Sequence, residues 1–302
     1  MFKNLFLMKR KNFNSDSIFY LVNGIYLTIA FLLVAYPILF IVSSSFSSPE
    51  AVSSGKVWLF PVDFSLAGYR ELLGYKPVWT GYYNSFFYAI VGTTISVTLT
   101  VLAGYALSRK QLYGRRLFTF IILFTMIFQG GIIPTYILMQ DLNLIDTRWA
   151  VILPRAIVVF NFVITKNFFE NNIPDELYEA AKIDGASEFQ FFIKVVLPLS
   201  KPIIAILVLY YSVFIWNSFF DAMIYLRDKS LYPLQLTLRD VLILNEVSSD
   251  MMADPDLLQE LEGMRDLLKY ALIIVASLPV LVAYPFIQKY FVSGRLSGAS
   301  KG

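Results

Sequence analysis

The sequence predicts an all-α membrane protein of six transmembrane helices with both termini on the cytoplasmic side. Three observations carry this reading. Hydrophobic residues fill 57% of the 302 positions and charged residues only 16%, against roughly 25% charged in soluble domains. Six stretches are apolar over the about 20 residues that a spanning helix needs. Lys and Arg crowd into alternate connecting segments, which sets orientation.

The predicted spans run from about Ile18 to Ser43, Tyr82 to Leu107, Leu117 to Met139, Trp149 to Phe169, Pro202 to Ile224 and Leu267 to Phe291. Residues 1–17 are polar and basic, and the apolar run after them is too long for a signal-peptide core, so it reads as a retained first span. The membrane domain is then 18–291, followed by a cytoplasmic tail at 292–302. Tyr82, Tyr83, Trp149 and Tyr290 suit headgroup depth. Lys3, Lys9, Arg10 and Lys11 at the start, and Arg109, Lys110, Arg115 and Arg116 in the short second connection, assign those segments to the inside. Two outer segments are long. Ser44 to Gly81, punctuated by Pro49, Gly55, Pro61, Gly68, Gly74 and Pro77, reads as loop with short interfacial helices. Tyr225 to Asp266 carries Asp250, Asp254, Asp256, Glu260 and Glu262, either a solvated face or a docking surface for a partner outside.

Several function classes fall away. With no Cys and no His, disulfides, thiolate or imidazole metal sites, Cys nucleophiles and His acid–base chemistry are excluded. A net charge of +3 without a basic, aromatic-laced patch gives no reason to expect nucleic acid. No G-x-x-x-x-G-K-[ST] segment exists to cradle nucleotide phosphates, so the chain binds no ATP of its own and is a transport subunit, not an enzyme. A pure lipid anchor has no use for polar residues at membrane depth, which tend to face a bundle interior or a wet cavity. Here Gln129, Gly130, Gly131 and Pro134 interrupt the third span, Pro154, Arg155 and Asn161 mark the fourth, and Trp216, Asn217 and Asp221 occupy the fifth. Gln129, Asn161, Trp216, Asn217, Phe219 and Asp221 are the candidates for a solute path. Aromatic faces suit sugar C–H surfaces and amides suit hydroxyls, while helix packing is the plainer role for each. Arg155 has three readings: contact with solute, pairing with an acid on another subunit, or snorkelling outward.

Between the fourth and fifth spans, residues 171–202 read NNIPDELYEAAKIDGASEFQFFIKVVLPLSKP. Pro174 suits a helix's first turn, where its missing N–H is not needed. Asp175 and Glu176 follow at the positive end of the helix dipole. The helix presents Leu177, Ala180 and Ala181 as a small apolar patch that another surface can approach. Gly185 ends it in a left-handed conformation, and Ser187 with Gln190 makes a capping box for a second helix. Helix, glycine elbow and second helix form a rigid lever leading into a span.

This segment resembles the EAA loop, the coupling loop of bacterial ABC importer permeases. The family pattern is E-A-A, three residues, G, nine residues, I, one residue, L-P. It falls on Glu179, Ala180, Ala181, Gly185 (preceded by Asp184), Val195, Leu197 and Pro198, and departs only at Val195. Residues 84–115, 130–154 and 212–226 look like the carbohydrate-uptake branch, and 232–243 and 284–302 are similar to its LplC/YtcP-type group. The resemblance implies the type I importer permease fold in a bacterial plasma membrane. It also implies a second, non-identical permease, two ATPase subunits that hold ATP and Mg, and an extracellular solute-binding lipoprotein, with an oligosaccharide as solute. It seats the helix at Asp175 to Gly185 in a cleft of the ATPase, with Glu179 paired to a basic residue there. The plainer alternatives are a solvated face for Glu179 and helix propensity for the alanines. Rival functions are a permease for a non-sugar solute, a membrane scaffold, or a secondary transporter. The last needs midplane carboxylates, which the six spans lack.

Overall fold

The computed structural model describes residues 15–247 and 266–285, and the regular elements among them are helices. In chain order they are α1 (Ser15–Ser45), α2 (Pro49–Ser53), α3 (Ala67–Gly74), α4 (Lys76–Ser108), α5 (Arg115–Ile127), α6 (Ile132–Asp141), α7 (Trp149–Arg155), α8 (Val159–Asn172), α9 (Asp175–Ile183), α10 (Glu188–Leu199), α11 (Lys201–Trp216), α12 (Phe220–Tyr225), α13 (Leu234–Val247) and α14 (Asp266–Pro285). Of these, α1, α4 and α14 are long and apolar enough to cross a membrane unbroken. Three further spans qualify only as bent pairs: α5 with α6 at 119°, α7 with α8 at 50°, and α10 with α11 at 75°.

The expected boundaries need two corrections, in the second and fifth spans. The second span starts at Lys76, not Tyr82, because Pro77 sits in the first turn of α4 and launches the helix early. The third breaks where Gln129, Gly130 and Gly131 were expected to interrupt it: the chain leaves the helix at Phe128 and turns through Gly131 at φ 84°. The fifth stops as a helix at Trp216 rather than Ile224, because the Asn217 amide turns back to donate to the Val213 carbonyl (2.9 Å). An apolar window measures composition, not backbone continuity, so none of these breaks shows in hydropathy. The acidic run Asp250 to Glu262, the end of the sixth span beyond Pro285, and the tail lie outside the described residues.

The chain divides into two compact units, residues 1–72 with 249–274, and residues 73–248 with 275–302. In the first, the serine-rich end of α1 is a hydrogen-bonded knot. The buried Ser43 donates to the Leu59 carbonyl (2.7 Å), Ser47 accepts from the Val62 N–H (3.1 Å), and the Tyr69 hydroxyl donates to Ser45 (2.9 Å). Phe46 packs between Phe64 and Tyr69. These contacts tie the loop after α1 to its end.

In the second unit α4 runs along α8 so closely that a Cβ on Gly104 would lie 2.8 Å from the Thr165 methyl. Lipid tails are as apolar as leucine, so such close packing, not water exclusion, holds membrane helices together. A core of Val101, Phe169, Phe191, Val196, Leu207 and Tyr211 joins α4, α8, α10 and α11. The Tyr211 hydroxyl accepts from the Val158 N–H (3.1 Å) at the α7–α8 bend and shares a hydrogen bond with Thr100 (2.6 Å).

The polar loops of this unit sort into two sets. One gathers the start of α4 with the segments around 146 and 230. Asn84 donates to the carbonyls of Ser230 (2.7 Å) and Tyr232 (3.0 Å) and accepts from Arg148 (3.1 Å). Asp146 accepts from the N–H groups of Arg227 (2.9 Å) and Asp228 (2.8 Å). The other set gathers the α4–α5 connection with residues 166–198.

Candidate functional site

The EAA segment folds as helix, elbow and helix. α9 places Asp175 and Glu176 in its first turn and Lys182 in its last, each the favourable sign for the helix dipole there. The C-terminus closes in two hydrogen bonds: Ala186 N–H to the Ala181 carbonyl (2.9 Å) and Gly185 N–H to the Lys182 carbonyl (3.1 Å). That pairing requires a left-handed residue between them, and Gly185 has φ 76°. Ser187 and Gln190 then form a complete capping box at the start of α10. Tyr178 fastens the two helices to each other. Its hydroxyl donates to the Glu188 carboxylate, and its ring meets Phe191 edge-on at 5.5 Å.

Beyond the elbow, α10 widens to a π turn over Phe192–Val196 just before Pro198. Proline in a regular helix clashes with the carbonyl four residues back and lacks the N–H to bond it, and the wider turn relieves both faults. At the 75° bend, buried Ser200 gives the Val196 carbonyl a second donor through its hydroxyl (2.6 Å). The lever therefore enters the membrane bundle through a bonded joint.

Exposure divides the motif residues. Glu179, Ala180, Asp184, Gly185 and Pro198 are exposed, whereas Val195 and Leu197 pack on the core. Ala181 also packs on its own core. The predicted patch of Leu177, Ala180 and Ala181 is corrected accordingly: Leu177 and Ala180 stay outward, and Ile183, 87% exposed, completes the apolar face. Nothing in the spacing of the motif singled out Ile183.

The sequence reading missed what braces this lever. Arg109, its side chain 12% exposed, donates Nη2 to the Ile173 carbonyl (3.1 Å) and Nε to Ser108 (3.3 Å), with Nη1 3.9 Å from Asp175. Its guanidinium lies over the Tyr105 ring. Lys110 donates to the other Asp175 oxygen (2.9 Å). Arg115 donates to the Ser108 carbonyl (3.2 Å) and stands 3.9 Å from Glu170, which also pairs with Lys166 (2.7 Å). Hydrogen bonding from Lys110, with Arg109 and Arg115 adding positive charge nearby, holds the Asp175 carboxyl below its usual range. These bases served the sequence argument only as orientation charges, and no local pattern joins residues about 65 positions apart.

The solute-path candidates do not converge on one point. Gln129, Asn217 and Phe219 are exposed, while Asn161, Trp216 and Asp221 are buried. The Trp216 indole N–H donates to the Ala276 carbonyl (3.2 Å), and its ring packs tilted against Tyr82 and edge-on against Phe86. It borders a cleft of about 570 Å³ lined by Ile90, Val97, Val208, Val213 and Val280, a surface with little for a sugar hydroxyl to bond. The Asp221 carboxylate takes Arg155 side-on, Nε at 2.7 Å and Nη2 at 3.2 Å. Arg155 thus pairs within its own chain, and its guanidinium lies over Phe214.

A bundle of bent spans with polar groups at the breaks, carrying a braced helical lever, defines a polytopic membrane permease. The sequence family described as the binding-protein-dependent transport system inner membrane component matches residues 78–297, and the chain belongs to it. It is 42% identical over 283 residues to the polygalacturonan/rhamnogalacturonan transport system permease protein YtcP of Bacillus subtilis (strain 168), covering 93% of this chain and 97% of that one. It is 40% identical over 266 residues to protein LplC of the same organism, covering 88% and 89%. Its fold matches a chain of a bacterial ABC transporter involved in the import of the acidic polysaccharide alginate, with TM-score 0.84 and 38% identity over 92% of this chain and 98% of that one. This is a multi-pass bacterial cell-membrane protein, the transport component of an importer that works with other subunits.

Proposed function

We propose that this permease imports a carbohydrate, an oligosaccharide released from an acidic, uronate-bearing polysaccharide, and that the EAA lever carries the ATPase stroke into the bundle. The observation that carries the solute class is the likeness, at 42% and 38% identity over nearly the whole chain, to proteins named for polygalacturonan and alginate transport. In this reading the chain forms half of the path beside a second, non-identical permease. Two ATPase subunits hold ATP and Mg, and an extracellular solute-binding lipoprotein delivers the sugar. The termini face the cytoplasm, as the Lys and Arg distribution argues.

The mechanism follows from the lever's construction. Leu177, Ala180 and Ile183 give α9 an apolar face, with Glu179 exposed beside it to meet a basic group. Asp184 and Gly185 shape the elbow, and Leu197 and Pro198 carry the load into α11. Closure of the ATPase pair displaces α9, and alternating access follows as the bundle rocks with it.

The test is an assembled, reconstituted complex given binding protein loaded with one defined sugar at a time. Galacturonate or mannuronate oligomers are expected to stimulate ATP hydrolysis and uptake, and neutral oligosaccharides of equal length are not. Equal stimulation by both overturns the acidic reading, and stimulation by no sugar overturns the carbohydrate reading.

A further inference from the structure

The start of α9 is held by one largely buried cation. Arg109 is the first residue after α4, and its guanidinium reaches both sides of Pro174: the Ile173 carbonyl before it, at 3.1 Å, and the Asp175 carboxylate after it, at 3.9 Å. Pro174 has no N–H, and α9 has no side-chain N-cap. The usual local fastening of a helix start is thus missing, and a side chain from another span takes its place. Lys110 and Asp175 form the outer half of the contact. Lys110 is largely exposed, so that ion pair contributes little by itself. Arg109 differs because it is largely buried, stacked on Tyr105 and bonded to a main-chain carbonyl. Removing it leaves that carbonyl without its donor and frees the junction to swing.

We infer that Arg109 is a positioning residue that locks the start of the EAA helix to α4, so that displacement of the helix moves α4 as well as α11. This rests on the coupling role proposed above. Without the contact to α4 the start of the lever joins the bundle only through the Ile173–Pro174 link to α8. With Arg109 in place, the stroke divides between the spans on both sides of the α4–α11 contact. Lysine at this position keeps the charge but cannot span both acceptors, because it lacks the planar fork.

The test uses the reconstituted complex and reads sugar transported per ATP hydrolysed, a ratio that a merely structural defect does not change. Arg109→Gln is expected to assemble and to lower that ratio at least tenfold, with Arg109→Lys falling between it and the parent. The chain has no cysteine, so spin labels at Gln111 and Lys182 report the junction directly. They should give one narrow distance distribution in the parent and a broad one in Arg109→Gln. A ratio within twofold of the parent overturns the inference, as does a narrow distribution in the variant. Should Arg109→Gln fail to assemble, Arg109→Lys is measured in the same way, and a ratio equal to the parent's there overturns it. Gly185→Val is run alongside. If it too transports normally, the lever reading itself fails; if it is inactive while Arg109→Gln is normal, only the clamp fails.

Discussion

Tyr211→Phe isolates one hydroxyl that serves a break in a span. The chain leaves the helix between Arg155 and Val159, where α7 and α8 meet at 50°. A main-chain N–H freed at membrane depth has no water to bond and must find another partner. Val158 finds the Tyr211 hydroxyl at 3.1 Å, and that hydroxyl lies 2.6 Å from Thr100. Deleting it leaves the Val158 N–H unpaired in a half-buried setting, worth about 1.5–2.5 kcal/mol, the middle of the range for such a loss. Thr100 loses less, about 0.5 kcal/mol, since a helical threonine can turn to the carbonyl four residues back. The sum is about 2–3 kcal/mol. Thr100→Val is the control: it removes one side-chain bond, near the membrane-protein average of about 0.6 kcal/mol, and leaves Val158 satisfied.

Two measurements check this. Denaturant titration of the purified protein in micelles should place Tyr211→Phe about 2–3 kcal/mol below the parent and Thr100→Val within about 1 kcal/mol of it. Hydrogen exchange over the peptide containing Val158 should quicken about 30- to 150-fold in Tyr211→Phe, since each 1.4 kcal/mol is a factor of ten. If the phenylalanine variant is no less stable than the valine variant, the bond to Val158 contributes nothing and the argument from the broken span fails.

Other perturbations test neighbouring features. At Gly185 a new side chain meets open space, so only backbone strain opposes it; Gly185→Val should lose uptake, and Gly185→Asn, better tolerated at positive φ, should keep most of it. Asp221→Ala strands Arg155 and should destabilise by about 1–3 kcal/mol, less than for a fully buried pair because Arg155 is 48% exposed. An Arg155→Met, Asp221→Leu double variant should return close to the parent, and a double variant no better than the single one refutes the pairing. For Asp175 the sign runs one way: a carboxyl held below its usual range by Lys110 stabilises the folded state above that range, and the effect fades as pH falls through it. The small difference in Tm between the parent and Asp175→Asn should therefore be full at pH 7 and shrink below about pH 5; a gap that widens in acid contradicts the assignment. Single cysteines at Gln111 and Asp184 should resist an impermeant label applied outside intact cells, and those at Ser53 and Arg227 should react.

What the sequence disclosed and what it withheld divide by range. The capping box at Ser187 and Gln190, the left-handed Gly185 and the dipole-matched ends of α9 are all set within a few residues, and each was readable from spacing. The Arg109 brace joins residues about 65 positions apart, and the Asn84 contacts to Ser230 and Tyr232 join residues nearly 150 apart; nothing local marks either. Hydropathy located the membrane segments because lipid selects apolar composition over about 20 residues. It did not mark the turn at Phe128 to Gly131, because the flanking residues of α5 and α6 remain apolar through a 119° change of direction; Gly130, Gly131 and Pro134 marked it instead. Trp216 was read as a flat face for sugar from its residue type alone, whereas the neighbours that occupy its N–H and ring come from α14 and α4.

The broken spans also sort the polar residues at membrane depth. Three of the breaks engage a side chain of their own: Tyr211 at Val158, Ser200 at the Val196 carbonyl, and Asn217 at the Val213 carbonyl. The Tyr211 and Ser200 hydroxyls are spent on these bonds, while the exposed Asn217 amide keeps its oxygen and one N–H. Asp221 is committed to Arg155, and Trp216 to Ala276. Two candidates differ. Among the described residues, neither the Gln129 nor the Asn161 side-chain amide makes a hydrogen bond, although Asn161 is only 5% exposed. An amide offers both a donor and an acceptor to a hydroxyl-rich solute or a facing subunit. A path that uses these amides rather than the aromatic face of α11 predicts an order of effects. Gln129→Leu and Asn161→Leu should reduce sugar uptake more than Trp216→Phe, and the opposite order would return the path to the tryptophan.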